Sequence, residues 1–94
     1  MNAALQPSAT RTTAEWQAAD TAHYLHPFTD FKSLAAKGSR VITRADNIYL
    51  WDNDGAKILD AMSGLWCVNG GYGQQAVIDA ATAQWTRLPF YNSF

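Results

Sequence analysis

Cysteine occurs once in this chain, at Cys67, so no disulfide can close within it, in keeping with a reducing compartment. Charge is also scarce. Asp, Glu, Lys and Arg make up 16% of the residues, where an ordinary soluble domain carries roughly a quarter. The net charge is −1 with acids and bases interleaved, so no basic stripe exists to follow a phosphate backbone, which argues against nucleic acid as a partner. No window approaches the roughly 20 apolar residues of a membrane span. The opening segment Met1–Thr10 lacks a basic region followed by an apolar stretch and does not read as a secretory signal. The expected setting is the cytoplasm. One cysteine and two histidines argue against a zinc site, and Pro27 interrupts the helix that would have aligned His23 with His26.

Aromatic residues, by contrast, are abundant. Four Trp, four Tyr and four Phe in 94 residues exceed what one small core needs. Apolar patches left outside a core usually mark interfaces. The length allows at most one small domain, so the composition suggests part of something larger.

Residues 1–11 are small and polar and read as a flexible tail. Thr12 with Glu15 three positions on has the pattern of a capping box. It predicts a helix over 13–24 with Trp16, Ala19 and His23 along one face, stopped by His26-Pro27. A short helical turn over 32–37 is expected to end at Gly38. The period then changes to that of strands. Val41 to Arg44 alternate, 48–52 is rich in β-branched and aromatic residues, and 57–61 returns after the Asp54-Gly55 hairpin signal. These three runs predict an antiparallel meander at 40–61, with Ala45, Asp46 and Asn47 as its first connection. A special loop at 62–73 follows. Val77, Ile78, Ala81 and Trp85 then predict an amphipathic helix over 74–88, ended by Pro89. The expected fold class is an α+β segment: N-terminal helix, three-stranded meander, pocket loop and amphipathic helix.

The run from Ser63 to Gly73 is the segment that points to function. It sets Leu65, Trp66, Val68 and a thiol on a backbone punctuated by four glycines, a composition that bends sharply and holds bulky groups against something beyond its own element. Gly70-Gly71-Tyr72-Gly73 before a helix invites comparison with phosphate-binding loops. Its spacing, however, fits neither the dinucleotide fingerprint nor a P-loop. Cys67 has no basic neighbour in sequence that would activate it as a nucleophile. Asp52, Asp54 and Asp60 flank a hairpin, and Lys32, Lys37 and Lys57 read as solvated cations. No catalytic constellation is present. Trp66 in a Gly-flanked bend reads as an aromatic wall of a small-molecule pocket.

Taken together, His26-Pro-Phe-Thr-Asp30, Tyr49-Leu-Trp-Asp52, Asp54-Gly55, Asp60-Ala-Met-Ser-Gly-Leu-Trp-Cys-Val-Asn69, Gly71-Tyr-Gly73 and Leu88-Pro-Phe-Tyr-Asn-Ser-Phe94 resemble the amino-terminal portion of class III, pyridoxal-phosphate-dependent aminotransferases. The resemblance runs in register over about 11–94 and is nearest to the ω-amino acid (β-alanine):pyruvate branch. One departure is Gly70, where the family pattern has Val. The resemblance implies a parent of fold type I α/β architecture, acting as a homodimer, with residues 12–94 as its incomplete N-terminal part. It implies pyridoxal 5'-phosphate as cofactor and an amine and a keto acid as substrates, the amino group passing to pyruvate. It places Trp66 in the substrate pocket with Leu65 and Cys67 beside it, Phe28 near the entrance, and Phe94 toward the neighbouring subunit's site. The cofactor's ligands, the Schiff-base lysine included, fall outside the matched motifs, so no residue of this chain takes a catalytic or cofactor-binding role. The resemblance therefore implies that the isolated chain is inactive. The contrasting expectation is a small stand-alone binding or interaction module without catalysis.

Overall fold

The computed structural model describes residues 11–94, so all but Arg11 of the expected tail lies outside the described residues. The element order is α1 (Thr13–His23), α2 (Phe31–Lys37), β1 (Ile42–Asp46), β2 (Tyr49–Asp52), β3 (Lys57–Leu59), α3 (Ser63–Trp66) and α4 (Gln75–Arg87). These residues group into two compact units. The first runs up to Arg44 and takes in Leu50–Ile58; the second comprises Ala45–Tyr49 and Leu59–Phe94. No described residue of either unit is fully buried.

In the first unit, α1 starts where the capping box predicts. The Glu15 amide donates to the Thr12 hydroxyl at 3.2 Å, and the Thr12 amide donates to the Glu15 carboxylate at 2.7 Å. These bonds satisfy amides that a helix start leaves without partners; the Thr12 amide, with the Thr12 hydroxyl donating to the same oxygen at 3.1 Å, holds the Glu15 carboxyl below its ordinary range. The helix stops at His23 because Tyr24 is already extended (φ −125°, ψ 130°). α2 begins one residue before the predicted turn. The Asp30 carboxylate caps it by accepting from the amides of Lys32 and Ser33 at 3.0 and 3.3 Å, and Gly38 closes it in the left-handed region.

The three strands form one antiparallel sheet in the order β1-β2-β3, the predicted meander. Its first connection differs from the expected one. Ala45 and Asp46 extend β1, and the chain reverses at Asn47-Ile48, where Asn47 adopts φ 51°. Asparagine tolerates that conformation far better than Ile does, so the turn settles there and takes Ile48 out of β2. The second hairpin is the predicted one. The Asp52 amide donates to the Ala56 carbonyl at 3.1 Å, and the Asp52 carboxylate accepts from the amides of Asp54 and Ala56. The Thr13 hydroxyl donates to Asp54 at 2.6 Å and accepts from Asn53 at 3.0 Å, which ties this hairpin to the first turn of α1. On the sheet, the guanidinium of Arg44 lies 3.6 Å from the centre of the Trp51 ring.

In the second unit, α4 matches the predicted helix to within one residue at each end. Gln74 and Leu88, on either side, are extended. Val77, Ile78 and Trp85 remain exposed on it. Among the described residues no helix is long and apolar enough to cross a membrane.

Candidate functional site

The segment after β3 is the most unusual backbone in the chain. Ser63, Gly64, Leu65 and Trp66 have φ values of 51°, 57°, 60° and 66°, a full turn in the left-handed region that makes up α3. L-residues avoid this region because Cβ approaches the following carbonyl, at about 1–2 kcal/mol each; three non-glycine residues therefore store about 3–6 kcal/mol. The turn is closed by Trp66 N–H to Met62 O at 3.0 Å, with the Cys67 and Val68 amides both donating to Ser63 O at 2.9 Å.

Asp60 holds this turn from below. Its Oδ2 accepts from the Tyr72 hydroxyl at 2.6 Å and the Gly64 amide at 2.8 Å, and its Oδ1 accepts from the Met62 amide at 3.2 Å. Hydrogen bonding to the charged form favours it, so the Tyr72 hydroxyl, helped by those amides, keeps the Asp60 carboxyl below its usual range. The same contact raises the Tyr72 phenol above its ordinary value. Both partners are anchored. The Asp60 amide donates to Ile48 O at 2.9 Å, and Tyr72 forms an antiparallel bridge with Asn47 through bonds of 3.1 and 2.7 Å.

On this frame the structure presents Leu65 and Trp66 outward, 59% and 80% exposed. Cys67 is an exposed free thiol that leans on the Leu65 carbonyl, Sγ to O 3.4 Å. Leu65, Trp66 and Cys67 are thus three consecutive exposed side chains on the bend. Ser63 and Val68, with Asn47, Asp60 and Tyr72, line a hollow of about 50 Å³, room for a water but far below the roughly 300–1,000 Å³ of ligand sites. Phe94 belongs to the same unit and is fully exposed.

Phe28 belongs to the first unit and is likewise fully exposed, with φ 49°. Its segment is tied on both sides. His26 Nε2 meets Asp20 Oδ2 at 2.7 Å, and the Thr29 hydroxyl donates to Pro27 O at 2.7 Å. Phe28 edges an open depression of about 330 Å³ with Asp30, Ser33, Leu34 and Lys37.

A family model described as "Aminotransferase class-III" matches residues 33–93. The chain belongs to that family. Its members are pyridoxal-phosphate-dependent transaminases. Over 82 residues the chain is 58% identical to a putrescine–pyruvate aminotransferase of Pseudomonas aeruginosa, covering 87% of this chain and 18% of that protein. Its structure is similar to an (S)-enantioselective ω-transaminase of Thermomicrobium roseum, with a TM-score of 0.83 and 39% identity, covering 90% of this chain and 19% of that one. It is also similar to the ω-transaminase of Pseudomonas jessenii in complex with PMP, with a TM-score of 0.78 and 36% identity over 83% of this chain and 17% of that one. The chain therefore spans about a fifth of the length of the relatives it matches.

The unit that carries the bend contains no lysine. Lys32, Lys37 and Lys57 all belong to the other unit.

Proposed function

We propose that residues 12–94 are the amino-terminal part of a dimeric ω-transaminase that moves an amino group from an ω-amino acid or terminal amine to pyruvate. In this reading Leu65, Trp66 and Cys67 line the substrate pocket, with Phe28 near its mouth and Phe94 directed to the neighbouring subunit's site. The observation that carries the reading is Trp66: an exposed indole on a strained, tightly braced turn, in a chain of this family. Its role is to bind and orient. The indole and Leu65 offer an apolar surface to the carbon chain of the amine and keep water from that side. Pyridoxal phosphate supplies the electron sink when bound, through residues outside this chain. Similarity to a putrescine–pyruvate aminotransferase supports diamines as a donor class beside β-alanine.

The test uses the full-length enzyme that carries this segment. Purified with pyridoxal phosphate, it is expected to form alanine from pyruvate with putrescine or β-alanine as donor, while the 94-residue chain alone forms none. Absence of alanine with every amine tried would overturn the proposal, as would turnover by the 94-residue chain.

A further inference from the structure

The strained turn needs a cause outside itself, and the contacts around Asp60 supply one. Asp60 sits at the end of β3 with its amide bonded to Ile48, while Tyr72 is fixed by two backbone bonds to Asn47. Both are half-buried. The turn's own amides, those of Met62 and Gly64, donate to the Asp60 carboxylate. The Asp60 oxygen that receives Gly64 also receives the Tyr72 hydroxyl. One carboxylate oxygen thus joins the turn to two separately anchored strands of backbone. Tyr72 Oη also lies where a Cβ on Gly64 would meet it at 3.0 Å, so the hydroxyl packs against the left-handed glycine as well as bonding below it.

We propose that the Asp60–Tyr72 pair positions Leu65 and Trp66 and thereby sets which amine side chains the enzyme accepts. This rests on the reading of Trp66 as a pocket wall. Neither residue touches substrate; each acts through the turn. Releasing the contact lets Ser63, Leu65 and Trp66 leave the left-handed region, which they do downhill, and the wall moves. The consequence falls on donor binding and selectivity rather than on the chemical step.

Two substitutions separate this from a general loss of structure. Tyr72→Phe keeps the ring and removes only the hydroxyl. Asp60→Asn keeps the size but turns one oxygen into an NH₂ group, which must face either the Met62 amide or the Gly64–Tyr72 pair. Both are made in the full-length holoenzyme and assayed with putrescine and with 1-phenylethylamine, a bulky probe, against pyruvate. The expected result is a rise in KM for putrescine with kcat little changed, and a shift of the kcat/KM ratio toward the bulky amine by about tenfold, the scale of one charge-assisted hydrogen bond. The double variant should shift the ratio little further than Tyr72→Phe alone, because that variant already removes the contact through which Asp60 acts. An unchanged ratio in Tyr72→Phe, or equal falls in kcat for both amines at constant KM, would overturn the inference, and that variant decides alone should Asp60→Asn fail to fold. An unmutated enzyme that transaminates neither amine refutes instead the function on which the inference rests.

Discussion

Gly70 and Gly71 are neighbours with opposite tolerance for a side chain. A Cβ on Gly70 meets nothing within 4 Å, and its backbone is not left-handed. A Cβ on Gly71, at φ 92°, would lie 2.6 Å from Asn47 Oδ1 and 3.3 Å from the Asn47 backbone oxygen. The Asn47 side chain can turn away, but its carbonyl cannot, because it accepts the Tyr72 amide in the bridge. Gly71→Ala therefore meets positive-φ strain of about 1–2 kcal/mol. It also puts at risk two bridge bonds worth about 0.5–1.5 kcal/mol each, for a total of about 2–5 kcal/mol. Gly70→Ala should instead stabilise by about 0.4–1 kcal/mol, by restricting the unfolded chain. Native-state hydrogen exchange on the full-length enzyme reads the difference locally. The amides of Asn47 and Tyr72 should exchange at least about thirtyfold faster in Gly71→Ala, the equivalent of the lower bound above, and no faster in Gly70→Ala. Equal protection in the two variants would refute the argument that the bridge, rather than loop flexibility, fixes Tyr72.

Other consequences are open to simpler measurements. Thr12→Ala removes the cap hydroxyl of α1 and should cost the helix about 0.5–2 kcal/mol, seen as faster exchange in its first turn and nowhere else. The Asp60–Tyr72 contact should show two pH limits. Asp60, with a lowered pKa in the folded state, contributes fully above about pH 4, and its contribution fades as pH falls through the folded value. Tyr72, with a raised pKa, contributes fully below about pH 10 and fades as pH rises through its folded value. With Trp16, Trp51 and Trp85 replaced by Phe, emission from Trp66 should be flat between about pH 4 and pH 10 and change only beyond those limits; a transition near neutrality would contradict the assignment.

Local signals in the sequence reached far into the fold. The capping box at Thr12 and Glu15, the Gly38 stop, the Asp54-Gly55 hairpin and the proline limits at 27 and 89 each act through bonds between near neighbours, and each is found where its pattern predicts. The first hairpin was misplaced because Ala45-Asp46-Asn47 carries polar residues that read equally as strand end or turn. What decides is the left-handed backbone angle, which Asn47 accepts more readily than Ile48. At the site, Leu65, Trp66 and Cys67 could be singled out as a bulky group on a glycine-punctuated bend. Gly64 signals only one of the four left-handed residues, and nothing in Ser63, Leu65 or Trp66 announces the others. Asp60 read as a solvated hairpin carboxylate. Its actual role depends on Tyr72, twelve positions away, and no local pattern reports such a pairing.

The strain in α3 also bears on whether this chain is complete in itself. Three non-glycine residues in the left-handed region store about 3–6 kcal/mol. Within the chain that strain brings no burial in return, because Leu65 and Trp66 stay 59% and 80% exposed. Covering two side chains of this size stabilises by about 1.5–3 kcal/mol each, roughly the amount stored. A self-sufficient binding module would gain nothing by holding these side chains out on such a backbone. A segment whose bend meets further protein and a bound amine would recover the strain on contact. Strained backbone persists where surrounding structure over-determines it. Here the bracing by Asp60 and Tyr72 lies inside the chain, and in the proposed function the surface that the bend serves lies outside it, which is the arrangement expected of a pocket wall.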